Sequence, residues 1–347
     1  MKVSVLNLAT LRKDETYKDA IDKMVRLAKK IESLGYERLW IAEHHNMKYI
    51  ASSATQLLIQ QALINTEKIR VGAGGVMLPN HSPYIVAEQY GTLETLFPGR
   101  VDLGLGRAPG TDVDTAMAIR RNTRGREFYF GDEIEEIQGY FKGTNRVHAY
   151  PAEGLDVPIY ILGSTTDSAY LAAKLGLPYS FASHFAPGQM EKAVEIYRSN
   201  FKPSEYLEKP YVILGVNVIL ADTNEEAKKL STTQLRMFTN IITGKSEGLF
   251  PPVENEDEVW KSVIEAKGVP HFGPVKFEAD SLIKHEKAVV DHMSSIKFVG
   301  DMETAKEQIR ELQKRVEFEE IMSVSYIYDE EAHLHSCELL AKVVSEI

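Results

Sequence analysis

From its first residues the chain alternates short apolar runs with longer segments whose apolar residues recur every three or four positions, and no other feature constrains the fold as strongly. A short run rich in Val, Ile and Leu reads as a strand buried on both faces. The amphipathic segment after it reads as the helix that carries the chain back to the next parallel strand. Val3 to Leu8 is the first run. From Thr16 to Leu34, Ala20, Ile21, Met24, Val25, Ala28, Ile31 and Leu34 fall on one helical face. Gly35 follows where a left-handed cap needs no side chain. "YERLWIA" is the second strand, and Ser52 to Ile64 the second helix, with Ser52 or Ser53 as its expected cap.

The cycle continues. "KIRVGAGGVMLP" is strand three, and Tyr84 to Leu96 a helix stopped by Pro98–Gly99. "RVDLGLG" is strand four, and Arg120 to Tyr140 is expected to be helical. "VPIYILG" and "YSFASHF" are strands five and six, followed by helices over Thr165–Leu175 and Met190–Phe201. "YVILGVNVIL" is strand seven, with its helix from Asn224 to Thr243. The rhythm then breaks. Residues 244–293 are rich in proline, glycine and acidic groups, which suits a mobile insertion. "FEEIMSVSYIY" supplies the eighth strand, preceded by a helix at Glu303–Lys314 and followed by one at Ala332–Val344. Eight strands in this order fit either an open doubly wound sheet or a closed barrel. An open sheet wants a glycine-rich phosphate loop after its first strand, and "NLATLRKDE" is not one. The expectation is a single α/β domain over 1–347: an eight-stranded parallel (β/α)8 TIM barrel with an insertion before the last strand.

Composition excludes several function classes. A net charge of −10 argues against nucleic acid and against an acidic membrane surface as partners. One cysteine, Cys337, rules out an internal disulfide framework and a thiolate zinc cluster. The opening "MKVSVLNLATLRKDE" reads as a strand and not a signal peptide, and no apolar stretch has the length of a membrane span. A cytoplasmic enzyme is expected.

In a barrel the chemistry gathers at the C-terminal ends of the strands. Strand two ends there in "LWIAEHHN", with Glu43, His44 and His45 in a row. Neighbouring strand residues point to opposite faces, which weakens a metal reading and favours one histidine as acid, base or hydrogen-bond donor. His81, His184 and Asp102 show no close metal spacing, so no metal site is assigned. Gly74 and Gly75 lie within strand three just before the rim, where a flat ligand can approach the backbone or strands can pack closely. Arg107, just past strand four, suits an anion, with Asp112 or Asp114 as alternative partners. After strand five, Gly163, Ser164, Thr165, Thr166 and Ser168 gather hydroxyls at a helix N-terminus, an arrangement that binds anions. Arg107 and this turn would be barrel neighbours and together suit a phosphate.

The stretches "LWIAEHHN", "IRVGAGGVMLPNHSPYIVAEQYGTLETLFPGRVDLGLGRAPGTD" and "PIYILGSTTDSAYLAAKLGLPYSFASHF" resemble the bacterial luciferase-like flavin monooxygenases, most closely their single-chain members of unknown substrate. The likeness covers roughly the first 220 residues and returns in "FVGDMETAKEQI". It implies a barrel that binds FMN, its phosphate held by Arg107 and the Gly163–Ser168 turn, and a non-proline cis peptide at Gly74–Gly75 under the flavin ring. His44 matches the family's catalytic histidine, with Glu43 and His45 supporting it. Gly106 stands where light-emitting members carry a reactive cysteine, which argues against light emission. The implied reaction uses reduced FMN as a bound co-substrate, supplied by a separate flavin reductase, and O2 to oxidise a small organic substrate. A homodimer is implied as well. Three other readings stay open: a deazaflavin-dependent hydride-transfer enzyme, a metal-dependent barrel hydrolase, and a flavin-binding protein without catalysis.

Overall fold

The computed structural model describes residues 1–108, 110–119, 129–266 and 283–347. The strands are β1 (Lys2–Asn7), β2 (Arg38–Ile41), β3 (Arg70–Met77), β4 (Val101–Gly106), β5 (Ile159–Gly163), β6 (Tyr179–Phe181), β7 (Val212–Leu220), β8 (Lys297–Gly300) and β9 (Glu320–Val324). All pairings among them are parallel. β1 through β7 pair in sequence, and β9 closes the ring between β7 and β1. This is the expected eight-stranded TIM barrel. β8 is a ninth strand outside the ring, paired only with the far half of β7, from Asn217 to Leu220.

The helices follow from local chemistry. α1 (Tyr17–Ser33) starts at a Thr16–Asp19 capping box, buries Ala20, Met24, Leu27, Ala28 and Ile31, and is followed by Gly35 at φ +76°. α2 (Thr55–Ile64) corrects one expectation: it starts three residues later than Ser52, and its N-cap is Ala54, without a side-chain cap, while the buried Ser52 accepts the His44 N–H at its carbonyl. Next come α3 (Pro83–Leu96), a short α4 (Val113–Ile119) and α5 (Phe130–Lys142). The helix expected from Arg120 begins in this structure at Phe130, and its first part, 120–128, lies outside the described residues. α6 (Thr166–Leu175), α7 (Met190–Asn200) and α8 (Asn224–Ile242) complete the regular cycle.

The described residues of the insertion, 244–266 and 283–293, include two helices. α9 (Glu256–Ala266) buries Val259, Trp260 and Val263, one apolar face that a reading weighted towards proline and acidic residues passes over. α10 (Lys284–Met293) follows, while 267–282, inside the expected mobile segment, lies outside the described residues. Leu249 is tied to the β1–α1 connection through backbone bonds with Leu11 and Lys13. α11 (Met302–Arg315) and α12 (Glu330–Glu346) close the chain.

The N-terminal end of the barrel is plugged by a buried ionic network. Arg38 reaches across the interior to Asp102 at 2.7 Å, Glu320 at 2.9 Å and the Tyr160 hydroxyl at 2.7 Å. Asp102 also accepts from Arg70 at 2.7 Å and from the Trp40 indole at 3.1 Å. A fully paired buried cluster fixes the geometry of this end, and losing one member would leave an uncompensated charge. The opposite end of the barrel is open. Among the described residues no helix is long and apolar enough to cross a membrane.

Candidate active site

The C-terminal end of the barrel opens into a cavity of about 920 Å³. Its walls are mostly apolar, with Trp40, Leu162, Phe181, Phe238, Met322 and Tyr326 among them. His44, Gly74, Gly75, Arg107, Gly163, Ser164, Thr165 and Ser168 all line it, while Glu43, His45 and Thr166 do not.

The doubled histidine divides, although β2 has ended at Ile41 and strand alternation is not the cause. His44 faces the cavity, while its backbone N–H is held by the Ser52 carbonyl. Burial pushes its imidazole pKa down, with His45 reinforcing the effect and the Glu43 carboxylate only partly opposing it. It is therefore neutral at neutral pH. Glu43 is fully buried on the other side. One of its oxygens lies 2.8 Å from His45 Nε2 and 2.7 Å from His81 Nε2, and the other accepts the Met77 N–H at 3.2 Å. Burial pushes the Glu43 carboxyl up, but its bonds to His81, His45 and Met77 outweigh this and hold it below the usual range.

His81 is a residue that the sequence reading set apart and the structure brings in. Strands β2 and β3 are neighbours, so residues just past their ends meet; that adjacency was the signal available. Glu43, His45 and His81 present ligand-type atoms within 4.8 Å of one another. Both imidazoles, however, share one oxygen at hydrogen-bond distance. Ligands placed tetrahedrally about 2.0–2.1 Å from an ion stand roughly 3.3 Å apart. The geometry is that of a carboxylate gripping two imidazoles.

The Gly74–Gly75 peptide is cis, as the resemblance implied, and the β3–β4 register shifts between Ala73 and Val76. Arg107 pairs with neither Asp112 nor Asp114. Its Nη1 lies 3.3 Å from Asp167 in the first turn of α6, and Asp112 instead accepts from Asn46 and Thr115. Arg107 and the α6 N-terminus are thus neighbours. Within that turn the Ser168 hydroxyl is already committed: it donates to the Thr165 carbonyl at 2.7 Å and lies 3.0 Å from the Tyr179 hydroxyl. A side chain at Gly163 would collide with Ser168, so the glycine lets the turn close. The Gln189 side-chain carbonyl accepts the Thr166 N–H at 3.3 Å.

The sequence reading also left His184 unassigned. It stands beyond β6 and lines the same cavity. Burial, reinforced by His44, pushes its pKa down to about 4.

A family model described as luciferase-like monooxygenase matches residues 1–316. A luciferase-like monooxygenase of Escherichia coli (strain K12) is 40% identical, over 99% of this chain and 97% of its own length. An N-acetyl-S-alkylcysteine monooxygenase of Bacillus subtilis (strain 168) is 33% identical over 78% of this chain and 84% of its own. The crystal structure of apo-MsnO8 superposes with a TM-score of 0.83 at 30% identity, covering 99% of this chain and 98% of that one. Two remoter structures share the fold. One is the oxygenating constituent of 3,6-diketocamphane monooxygenase from Pseudomonas putida in complex with FMN, with a TM-score of 0.70 at 18% identity over 100% and 98% of the chains. The other is an F420-dependent secondary alcohol dehydrogenase, with a TM-score of 0.64 at 14% identity over 99% and 98%.

Proposed function

Because the chain belongs to the luciferase-like monooxygenases, a family of flavin-dependent oxidoreductases, we propose that it is the oxygenase of a two-component FMN system. In this reading a separate flavin reductase supplies reduced FMN, and a small organic substrate is oxidised with O2 in the cytoplasm. The observation that carries it is the convergence of neutral His44, the Gly74–Gly75 peptide and the Arg107–α6 turn on one cavity at the barrel rim. These residues fit FMN. An apolar wall beside two residues without side chains suits a flat ring, and a guanidinium beside a helix N-terminus suits a phosphate. A remote structural neighbour described as an oxygenating constituent in complex with FMN supports a division of labour with a reductase.

Bound reduced FMN would supply the two electrons that, with O2, place one oxygen atom in the substrate and the other in water. The protein's part is to bind, orient and exclude water. Arg107 and the backbone of Gly163, Ser164 and Thr165 would hold the phosphate, with Ser168 bracing the turn. Gly74 and Gly75 would lie against the ring. Neutral His44 can offer a hydrogen bond from its N–H or act as a base through its bare nitrogen, and the Glu43 cluster behind it fixes the backbone from which it projects. Gly244, Lys245, Ser246, Glu247 and Met293 also line the cavity. We propose that the described parts of this segment, 244–266 and 283–293, cover its mouth and keep water out.

A homodimer fits the surface. Leu57 and Ile64 on α2 and Ile85 and Leu96 on the adjoining α3 are exposed apolar residues, and a symmetric contact would cover them.

His44 gives the test. His44→Ala should leave reduced-FMN affinity within about threefold while lowering oxygenation of any accepted substrate by about 10²–10⁴-fold. Unchanged turnover would remove His44 from the chemistry.

A further inference from the structure

We propose that the chain carries a second ligand site, separate from the flavin cavity, in which Arg12, Lys23 and His333 hold a small oxyanion between the β1–α1 connection, α1 and α12. The inference goes beyond the function proposed above and does not depend on it.

The site is a cavity of about 60 Å³ between β1, the end of β9, α1 and α12. Met24, Leu27, Leu249 and Ile327 supply apolar wall, and Arg12, Lys23, Glu330 and His333 bring titratable groups to it. Arg12 is the most telling of these. Only 18% of its side chain is exposed, and its guanidinium lies over the Tyr328 ring, 5.3 Å from the centroid. The nearest carboxylate oxygen, on Glu15, stands 3.6 Å away, beyond hydrogen-bond reach, and the side chain makes no hydrogen bond among the described residues. Lys23, 15% exposed, spends one N–H on the other Glu15 oxygen. The His333 imidazole makes no hydrogen bond among the described residues either. Polar groups this far from water are normally paired, so three of them around one cavity mark a place for an acceptor.

The charges around the cavity do not cancel. Arg26 takes Glu330 in a two-point pair, at 2.5 and 2.9 Å, and Glu15 alone answers both Arg12 and Lys23. Arg12, Lys23 and Arg26 against Glu15 and Glu330 leave one positive charge over. Two bases feel it. Burial pushes the Lys23 pKa down, with Glu15 opposing and Arg12 reinforcing the effect. Burial likewise pushes His333 down to about 4, reinforced by Arg12 and Lys23 and opposed by Glu330. An uncompensated cation held away from water costs stability, and a bound anion removes that cost. Size narrows the class: the space holds about four waters, enough for a sulfate- or phosphate-sized ion and too little for a nucleotide. Arg12 and Lys23 donate charge-assisted bonds to its oxygens. The ion's charge also favours protonation of His333, which makes the imidazole a third donor, so sulfate binds more tightly as pH falls.

The test uses the full chain carrying Arg107→Ala, which weakens anion capture in the flavin cavity, with sodium sulfate as the probe and sodium chloride at equal ionic strength as the control. Long-range ¹H–¹⁵N spectra of histidine-labelled protein follow His333, whose signal is assigned by its loss in His333→Leu. Sulfate should raise the titration midpoint of His333 from about 4 to about 5–7, as expected for an opposite charge close by, and chloride should not. In isothermal calorimetry, Arg12→Gln and Lys23→Gln should each weaken sulfate binding by about 10-fold or more, and His333→Leu should flatten its pH dependence. Two separate cation variants keep the result readable if one of them fails to fold. A His333 midpoint that sulfate leaves unmoved, an equal response to chloride, or an unchanged sulfate affinity in the folded variants would each overturn the proposal.

Discussion

Arg107 stands at the cavity mouth with 53% of its side chain exposed, 3.3 Å from an Asp167 carboxylate that is itself 70% exposed. An ion pair that open contributes little to stability, so the guanidinium is available to a stronger anion. Arg107→Ala should raise the dissociation constant of FMN by about 10-fold or more, measured by flavin fluorescence, as expected for a charge-assisted hydrogen bond; an unaltered constant would take Arg107 out of the phosphate site. At this scale the sequence was informative wherever geometry is local. The spacing after β4 and β5 brings Arg107 to the α6 turn, while His44 and His45 part only beyond the end of β2 at Ile41. Two things depend on contacts that no spacing reveals. The Ser168 hydroxyl is occupied by Thr165 and Tyr179, and His184 is seated by a glycine on a different strand.

Elements meet at Glu43. It hangs from the end of β2, holds the last backbone N–H of β3 and binds an imidazole from beyond each strand. Replacing it by Gln puts an amide N–H₂ among groups that all donate. Glu43→Gln should lower unfolding stability by about 3 kcal/mol in urea titrations at pH 7; a loss below about 0.5 kcal/mol would show that the cluster does not brace the rim. The sign of its pH dependence follows from the depressed carboxyl pKa. The carboxylate's contribution is fully present above the unfolded value of about 4.3 and is lost as pH falls through the lower folded value. The gap between wild type and Glu43→Gln should therefore close as pH falls below about 5. The eight barrel strands and most helices could be read from apolar period alone. Exceptions lie where burial comes from distant partners. α9 is a single apolar face within a charged, proline-rich stretch, and β8 is a four-residue strand that only the extension of β7 makes possible.

Across the whole molecule the barrel is polarised. Arg38, Asp102 and Glu320 close its N-terminal end with buried charge, and the C-terminal end keeps a cavity of about 920 Å³ whose walls are mostly apolar. The closed parallel ring was legible because every strand is followed by a returning helix. The plug was not, since Arg38, Asp102 and Glu320 lie on three strands that meet only across the barrel axis. The central claim is that the open end binds reduced FMN. Anaerobic titration of the protein with reduced FMN, oxidised FMN and a reduced deazaflavin, followed by absorbance, tests it directly. The account predicts a single saturable site with the highest affinity for reduced FMN; a strong preference for the deazaflavin would contradict it.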